Sequence, residues 1–322
     1  MALAGLAASL AGCGGQEAYS ARHAVLVCLG PDRGGAGCYG EPAARTPGLD
    51  RLARQGASFL DVATPSPDPA LVRQGLLTGF HPWEERSGEI TPARACRETG
   101  WRTAAFVRPA GMDAAARDGF DPFRAVGDDG DPVEDALAWL DDADPEAPFL
   151  LFAGLDGDGP LVRLLRGLER GAHLRRTLVL VTGAGGGPGT GGATDVPLVA
   201  WGPFPFRGGG CRPDLARTLD VMPTLLDALR VGTKANRPGR ALQRRLKAYK
   251  EAALVALARG GHEDDDDAWR SIRVGSWKYV AGHGEALFDL ATDPGQRHDL
   301  RQREPEKAAE LRAALDTAFR EG

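Results

Sequence analysis

The stretch AVLVCL at residues 24–29 is apolar at every position. A strand with this composition is usually buried on both faces, as in a parallel sheet that helices cover. Similar short apolar runs follow along the chain, and helical patterns separate most of them; they lie at residues 104–107, 149–153, 177–182 and 196–201. This alternation predicts an α/β fold with a doubly wound, mostly parallel sheet flanked by helices.

Proline and glycine mark the ends of the helices between these strands. Thr46 and Thr91 each precede a proline, which is typical of the start of a helix. Gly56 and Gly100 follow the corresponding helical patterns and are expected to end them.

The sequence changes in character after about residue 231. A basic helical stretch at 240–250 leads to short strand-like runs with short connections, and a terminal helix follows; the runs lie at 252–258, 269–274, 277–280 and 286–290. Short connections between strands favour an antiparallel sheet. We therefore predict a leader at 1–20, an N-terminal α/β domain at 21–235 and a small C-terminal subdomain at 236–322, built from an antiparallel sheet plus the terminal helix.

Composition narrows the functional classes. The 322 residues are 43% hydrophobic and 26% charged, which is ordinary for a globular protein, and the net charge is -5. This charge gives no electrostatic case for nucleic-acid binding, which normally needs a clustered basic surface. The chain contains no lysine before Lys234.

The N-terminus has the pattern of a processing signal. An apolar run at residues 2–10 leads into Leu10-Ala11-Gly12-Cys13, which resembles the lipobox of bacterial lipoproteins. The run is too short to span a bilayer. The resemblance implies lipidation of Cys13 and an exported envelope lipoprotein, periplasmic or at the cell surface, that meets the membrane only through this lipid. The alternative is a disordered leader with a chance cysteine.

A series of motifs in a fixed order resembles the sulfatases, which belong to the alkaline phosphatase superfamily. The series covers roughly residues 23–319, and its clearest members are GCYG at 37–40, TPGLDRLARQGASF at 46–59, LLTG at 76–79, VPLVAWGP at 196–203, LDVMPTLLD at 219–227 and ALFDLATDPGQRHDL at 286–300. The resemblance implies a calcium-type cation held by carboxylate and amide groups. It also implies a formylglycine nucleophile, made from Cys or Ser in a C/S-x-P-x-R motif, with lysines and histidines that bind the sulfate and protonate the leaving group.

The positions that should carry this chemistry hold other residues. Counting back from LLTG puts the nucleophile at Pro69, which has no heteroatom to activate, whereas the arginine of the motif is retained as Arg73. The family's metal pair after the 177–182 strand corresponds to Ala184 and Gly185. We therefore predict a degenerate family member with no catalytic residue and no metal ligand at the family positions.

Two further family positions are altered. The first strand ends at Gly30 where metal aspartates are expected, and a family histidine corresponds to Asp158. Asp32, Asp68, Asp156 and Asp158 all fall on loops at the carboxyl ends of strands, where open α/β sheets bind ligands. These carboxylates are either a rebuilt, shifted metal site or aspartates that form turns. The sequence thus implies no cofactor, and calcium only if such a shifted site exists.

Candidate ligand-binding residues are accordingly Arg73, Asp32, Asp68 and Asp158. Arg73 is expected either to bind an anion such as sulfate or to anchor its loop to backbone carbonyls. Cys96 and Cys211 could pair, although sequence does not fix connectivity.

Two other motifs carry less information. The glycine run at 183–192 matches a dinucleotide fingerprint in spacing but lacks the following helix, and the acidic run at 263–267 has the composition of a solvated loop.

The functional hypotheses follow from the intact scaffold and the altered site. The first is a catalytically inactive pseudoenzyme, anchored in the envelope, that binds an anionic glycan or a protein partner. The alternative is a sulfuric or phosphoric ester hydrolase that uses a relocated metal site. A decaying, marginally stable gene product is a third possibility.

Overall fold

A computed structural model provides the structure of the chain. It describes residues 21–30, 36–41, 44–84, 91–108, 117–127, 130–142, 144, 146–185, 196–203, 205–208, 210–232, 237–245, 255–260, 269–282 and 284–320. The predicted leader with Cys13, Asp32, the glycine-run fingerprint at 187–192 and the acidic run at 263–267 lie outside the described residues.

The larger part of the chain forms an eight-stranded sheet. Its strands, in chain order, are β1 (His23–Leu29), β2 (Ala57–Ala63), β3 (Arg102–Val107), β4 (Phe123–Ala125), β5 (Phe149–Leu155), β6 (Thr177–Gly183), β7 (Leu198–Trp201) and β8 (Cys211–Arg217). Their spatial order is β4-β3-β5-β1-β6-β7-β2-β8. All neighbouring pairs are parallel except those of β7, which runs antiparallel to both β6 and β2. The predicted mostly parallel sheet is confirmed.

Helices cover both faces of this sheet. The helices are α1 (Pro47–Gln55), α2 (Pro69–Thr78), α3 (Pro92–Glu98), α4 (Pro132–Asp141), α5 (Asp158–Arg170), α6 (Val221–Leu229) and the short α7 (Leu242–Arg245). Successive side chains of β1 point to opposite faces. Consequently Leu26 lies in a core with α2 and α6, and Val25 lies in a second core with α1, α4 and α5.

A second sheet follows in the C-terminal part. Strands β9 (Val255–Gly260), β10 (Trp269–Val274), β11 (Trp277–Ala281) and β12 (Ala286–Asp289) form an antiparallel sheet, and α8 (Pro305–Arg320) covers one face. Ile272 and Tyr279 pack against Leu311 and Leu315 of α8 in a separate core. The predicted antiparallel subdomain is therefore present. Leu242 packs into the core of the larger sheet.

The two sheets meet at a seam with aromatic contacts. Phe319 of α8 stacks on Trp83 with ring centroids 5.1 Å apart, and Trp83 stacks on the buried His81 at 4.6 Å. Arg270 of β10 also lies over the Phe319 ring, with its guanidinium carbon 5.3 Å from the ring centroid. The terminal helix thereby joins the C-terminal sheet to the segment that follows α2.

The structure differs from the sequence expectations at the edges of the sheets. Strands β2, β4 and β8 were not predicted, and β8 contains Pro213. Because β8 is an edge strand, the missing amide hydrogen of this proline costs no central ladder bond. The run predicted at 252–258 forms a strand at Val255–Gly260. Cys96 and Cys211 are both free, so the suggested disulfide is not formed.

Among the described residues, no helix combines the length and the apolar character needed to cross a membrane.

Candidate functional site

The family's metal and nucleophile positions converge at the carboxyl ends of the central strands. The amide of Ala184 donates to the carbonyl of Leu29 at 2.7 Å, which holds the ends of β6 and β1 together. A Cβ atom on Gly185 would lie 2.9 Å from the carbonyl oxygen of Pro67 and 3.6 Å from Cγ of Pro69. The fold therefore brings the two positions to one place.

The residues at this place do not fit a hard cation. Ala184 and Gly185 have no oxygen-bearing side chain, although calcium needs a set of several oxygen ligands. Gly185 has φ +155, and the close contact with Pro67 leaves no room for a side chain there. Gly30 is similarly crowded, since its Cβ would lie 3.1 Å from a carboxylate oxygen of Asp156. Within the described residues, no three His, Cys, Asp or Glu side chains are grouped to hold a metal ion.

Arg73 lies on α2, half-buried, beneath the end of β1. Its positive charge acts on Cys28, where burial raises the pKa of the thiol to about 12 and Arg73 acts in the opposite direction. Since Cys28 belongs to the core that contains α2, Arg73 approaches the sheet from that face. The structure thus places Arg73 close to the family nucleophile position, but Arg73 does not line the cavity described below.

Asp158 has a clear structural role. It is the first residue of α5 and is only 7% exposed, and its carboxylate accepts hydrogen bonds from the amides of Gly48 at 2.8 Å and Leu49 at 2.7 Å. These amides belong to the first turn of α1, where backbone donors have no partner within the helix. The negative charge also interacts favourably with the positive end of the α1 dipole. Asp158 therefore caps a neighbouring helix.

The other described carboxylates are also used locally. Asp68 is exposed and caps its own helix by accepting from the amide of Ala70 at 2.7 Å. Asp156 is exposed and forms an ion pair of 3.1 Å with Arg108. The contact of Asp68 is the kind expected of an aspartate that forms a turn. Of the predicted ligand-binding residues that the structure describes, Asp158 lines the cavity described below, whereas Arg73 and Asp68 do not.

A cavity of about 510 Å³ opens between the ends of the large sheet and the C-terminal sheet. Its walls include Gly30 and Gly185, so it reaches the place where the family's metal would lie. The polar side chains among its described lining residues are Tyr39, Thr46, Asp61, Asp158 and Arg273. Most of the remaining wall is aliphatic, proline or glycine.

An ion pair between the two sheets forms one wall of the cavity. Arg273 of β10 donates from Nη2 to the carboxylate of Asp61 on β2, and its Nε donates to the carbonyl of Gly275 at 3.1 Å. Arg273 is only 9% exposed. Sequence reasoning missed both charged residues. The available signal in the sequence was Arg273 within the strand pattern of β10. A charged side chain that is buried requires a partner of opposite charge, which points to an ion pair.

Hydrogen bonds fix the opposite wall. The Tyr39 hydroxyl donates to the carbonyl of Leu198 at 2.8 Å and accepts from its amide at 2.9 Å, and burial raises the pKa of this phenol. Thr46 accepts from the amide of Gly37 at 2.9 Å and donates to Asp50 at 3.1 Å. Both side chains are therefore held in place before any ligand arrives.

Sequence comparison finds limited similarity to known enzymes. No family model matches the chain. An N-acetylgalactosamine-6-O-sulfatase of Bacteroides thetaiotaomicron is 39% identical over 62 residues, which are 19% of this chain and 12% of that protein. A Delta 4,5-hexuronate-2-O-sulfatase of the same organism is 30% identical over 132 residues, which are 35% of this chain and 27% of that protein. The chain thus matches less than a third of the length of these curated relatives.

Structural comparison covers almost the whole chain. The solved structure of a 2-O GAG sulfatase superposes with a TM-score of 0.79 and covers 94% of this chain and 92% of that one, at 18% sequence identity. At this identity the likeness concerns the fold. Both sheets and their flanking helices thus share the arrangement found in that enzyme.

Proposed function

We propose that this chain, a sulfatase-like protein with the hydrolase fold of the alkaline phosphatase superfamily, is a catalytically inactive pseudoenzyme that binds its ligand without turning it over. One observation carries the proposal. The positions at which the family holds its metal and nucleophile converge in space, and here they are Gly30, Pro69 and Gly185. None of these residues has a side chain that can coordinate a cation or attack an ester.

The loss affects every step that accelerates ester cleavage. A covalent nucleophile divides the reaction into two easier steps, and a bound metal stabilises the charge that develops on the ester oxygens. Removing a nucleophile alone costs roughly 10⁶-fold in kcat in a well-studied protease. Because Pro69 has no heteroatom and both glycines lack side chains, the loss of nucleophile and metal is combined in this chain.

Binding does not need these groups. The chain has a cavity of about 510 Å³ at this place, hydrogen bonds hold polar side chains of its wall, and the C-terminal sheet contributes Arg273. Two relatives by sequence are named as sulfatases of N-acetylgalactosamine and of hexuronate, both sugars. These features support a role as a binding protein for a glycan or a protein partner. The lipobox-like sequence at Cys13 supports a position in the bacterial envelope.

The alternative is an ester hydrolase with a relocated metal site. It requires the aspartates at the strand ends to surround one cation. Asp68 and Asp158 instead cap two different helices, and Asp156 pairs with Arg108. No contact of these described carboxylates favours the alternative.

The test combines metal content with turnover. The purified full-length chain is dialysed against calcium, its bound metal is measured by elemental analysis, and release of 4-nitrophenol from the 4-nitrophenyl sulfate and phosphate esters is followed. We expect substoichiometric calcium and no release above the buffer rate, with an active sulfatase as the positive control. Stoichiometric calcium together with ester cleavage would contradict the proposal. If Asp32→Ala then abolished that cleavage, the relocated site would be established.

A further inference from the structure

The described lining of the cavity carries more negative than positive charge. Arg273 is the one cationic side chain among these residues, and it pairs with Asp61. Asp158 contributes a second negative charge, which the amides at the start of α1 and the helix dipole partly offset. A sulfate group that entered would bring a further negative charge next to described walls that have no surplus of positive charge. Burying such an uncompensated charge is much less favourable than burying a hydroxyl group.

The polar groups suit hydroxyls. Carboxylates accept hydrogen bonds, a guanidinium donates them, and a sugar hydroxyl does both. Asp61, Asp158 and Arg273 therefore offer acceptors and a donor on walls that face the same space. A ligand with several hydroxyl groups can form further hydrogen bonds with these side chains without adding charge.

The rest of the wall suits the carbon faces of a sugar ring. Leu29, Leu290 and Pro294 present aliphatic surface to the cavity, and Leu60 lies at its edge with 48% of its surface exposed. Leu60 is one of two large hydrophobic residues that are exposed among the described residues. A ligand in the cavity would cover this apolar side chain. The volume of about 510 Å³ lies within the range of about 300–1,000 Å³ that is typical of small-molecule sites.

We propose that the cavity binds a neutral, hydroxyl-rich saccharide and discriminates against its sulfated form. This inference rests on the proposed binding function and names the ligand class of the same site. It differs from the anionic glycan expected from sequence. Arg73, the residue that sequence offered as a binder of an anion such as sulfate, does not line the cavity.

The test uses matched pairs of sugars. Saturation-transfer NMR and calorimetry are carried out on the full-length chain with galactose, N-acetylglucosamine and lactose, and with the 6-O-sulfated form of each. We expect at least one neutral sugar to bind about tenfold more tightly than its sulfated partner, a difference of about 1.4 kcal/mol. Equal or tighter binding of the sulfated forms, or binding of none of the six sugars, would overturn the proposal.

A change of one charge gives a sharper test. Asp61→Asn keeps the size of the side chain but removes the charge that balances Arg273, so the preference should shift towards the sulfated sugar by about tenfold or more. Asp135→Asn is the matched control, since Asp135 of α4 pairs with Arg124 of β4 and does not line the cavity. An unchanged preference in Asp61→Asn contradicts the inference.

A second variant covers the case in which Asp61→Asn weakens the seam. Leu60→Ala removes an exposed side chain, so its folding should be unaffected, and the neutral sugar should bind severalfold more weakly. Thermal unfolding of each variant is measured alongside binding. Unchanged affinity in Leu60→Ala would show that the sugar binds elsewhere.

The two proposals fail in different ways. Cleavage of a sulfate ester with bound calcium would defeat catalytic inactivity, whatever the preference among sugars. Tight binding of a sulfated sugar without turnover would leave inactivity intact and overturn the ligand class.

Discussion

Replacing Asp158 by alanine tests whether this buried carboxylate is a structural cap. The change leaves the amides of Gly48 and Leu49 without their acceptor. An unsatisfied buried donor costs about 1–3 kcal/mol, so two of them set a range of about 2–6 kcal/mol. Because Asp158 lines a cavity that water can enter, we expect the lower part of this range, about 2–3 kcal/mol of unfolding free energy.

Urea denaturation followed by circular dichroism measures this loss. The midpoint should fall while the slope with urea stays constant, since the native fold is retained. Asp158→Asn keeps one acceptor oxygen and should lose about half as much. Asp156→Asn is the matched control from the same loop, because its ion pair with Arg108 is exposed and such pairs contribute at most about 1 kcal/mol.

The response of stability to calcium distinguishes a helix-capping role of Asp158 from a metal-binding role. A cation held by Asp158 would stabilise the wild type by about 2.7 kcal/mol at a concentration one hundred times its dissociation constant, and the alanine variant would not respond. We expect calcium to leave both proteins unchanged. If Asp158→Ala unfolded within about 0.5 kcal/mol of the wild type, the capping argument would be refuted.

Three further predictions concern acid, the seam and the cysteines. Burial lowers the pKa of His81 from 6.5 to about 4, so its neutral form stabilises the fold fully above pH 6.5 and this stability is lost as pH falls towards 4. In urea unfolding at several pH values, His81→Gln should reduce this acid-dependent loss of unfolding free energy by about 2–3 kcal/mol. An identical pH dependence of the two proteins would contradict the prediction. Phe319→Ala removes the aromatic stack and should cost about 1–2 kcal/mol in the same assay, whereas Thr317→Ala on the exposed side of α8 should cost almost nothing. Iodoacetamide should label the exposed Cys211 and spare Cys96, because burial raises the pKa of the Cys96 thiol to about 12. Mass spectrometry of the labelled native protein measures this, and equal labelling of the two cysteines would disprove the burial of Cys96.

Sequence predicted the centre of the fold well and its edges poorly. Residues 24–29 are apolar throughout and residues 178–181 form an apolar run between two buried threonines, because both faces of these strands are covered; both runs form central strands. β2 was missed because Ser58 and Asp61 interrupt its apolar pattern, although Ser58 is buried. β8 was missed because it contains a proline, which only an edge strand tolerates.

The candidate site, like the fold, was predicted from sequence only in part. The order of the family motifs assigned Pro69 and Gly185 to the family's nucleophile and metal positions, and the structure places these two residues together. The wall formed by Asp61 and Arg273 was not predictable, because these residues are 212 positions apart and lie in different sheets. The cap formed by Asp158 was not predictable either. A carboxylate at the start of one helix gives no local sign that it serves another helix 110 residues earlier.

The crowded backbone at Gly185 has an evolutionary consequence. A new aspartate or histidine at this position would collide with the carbonyl of Pro67 and would need a conformation that side chains rarely adopt. A single substitution at this position therefore supplies no metal ligand unless the surrounding main chain also moves. Under the proposed inactivity, gaining hydrolysis on this scaffold would require changes to whole loops, and selection acting on single substitutions would more easily refine the binding of a ligand.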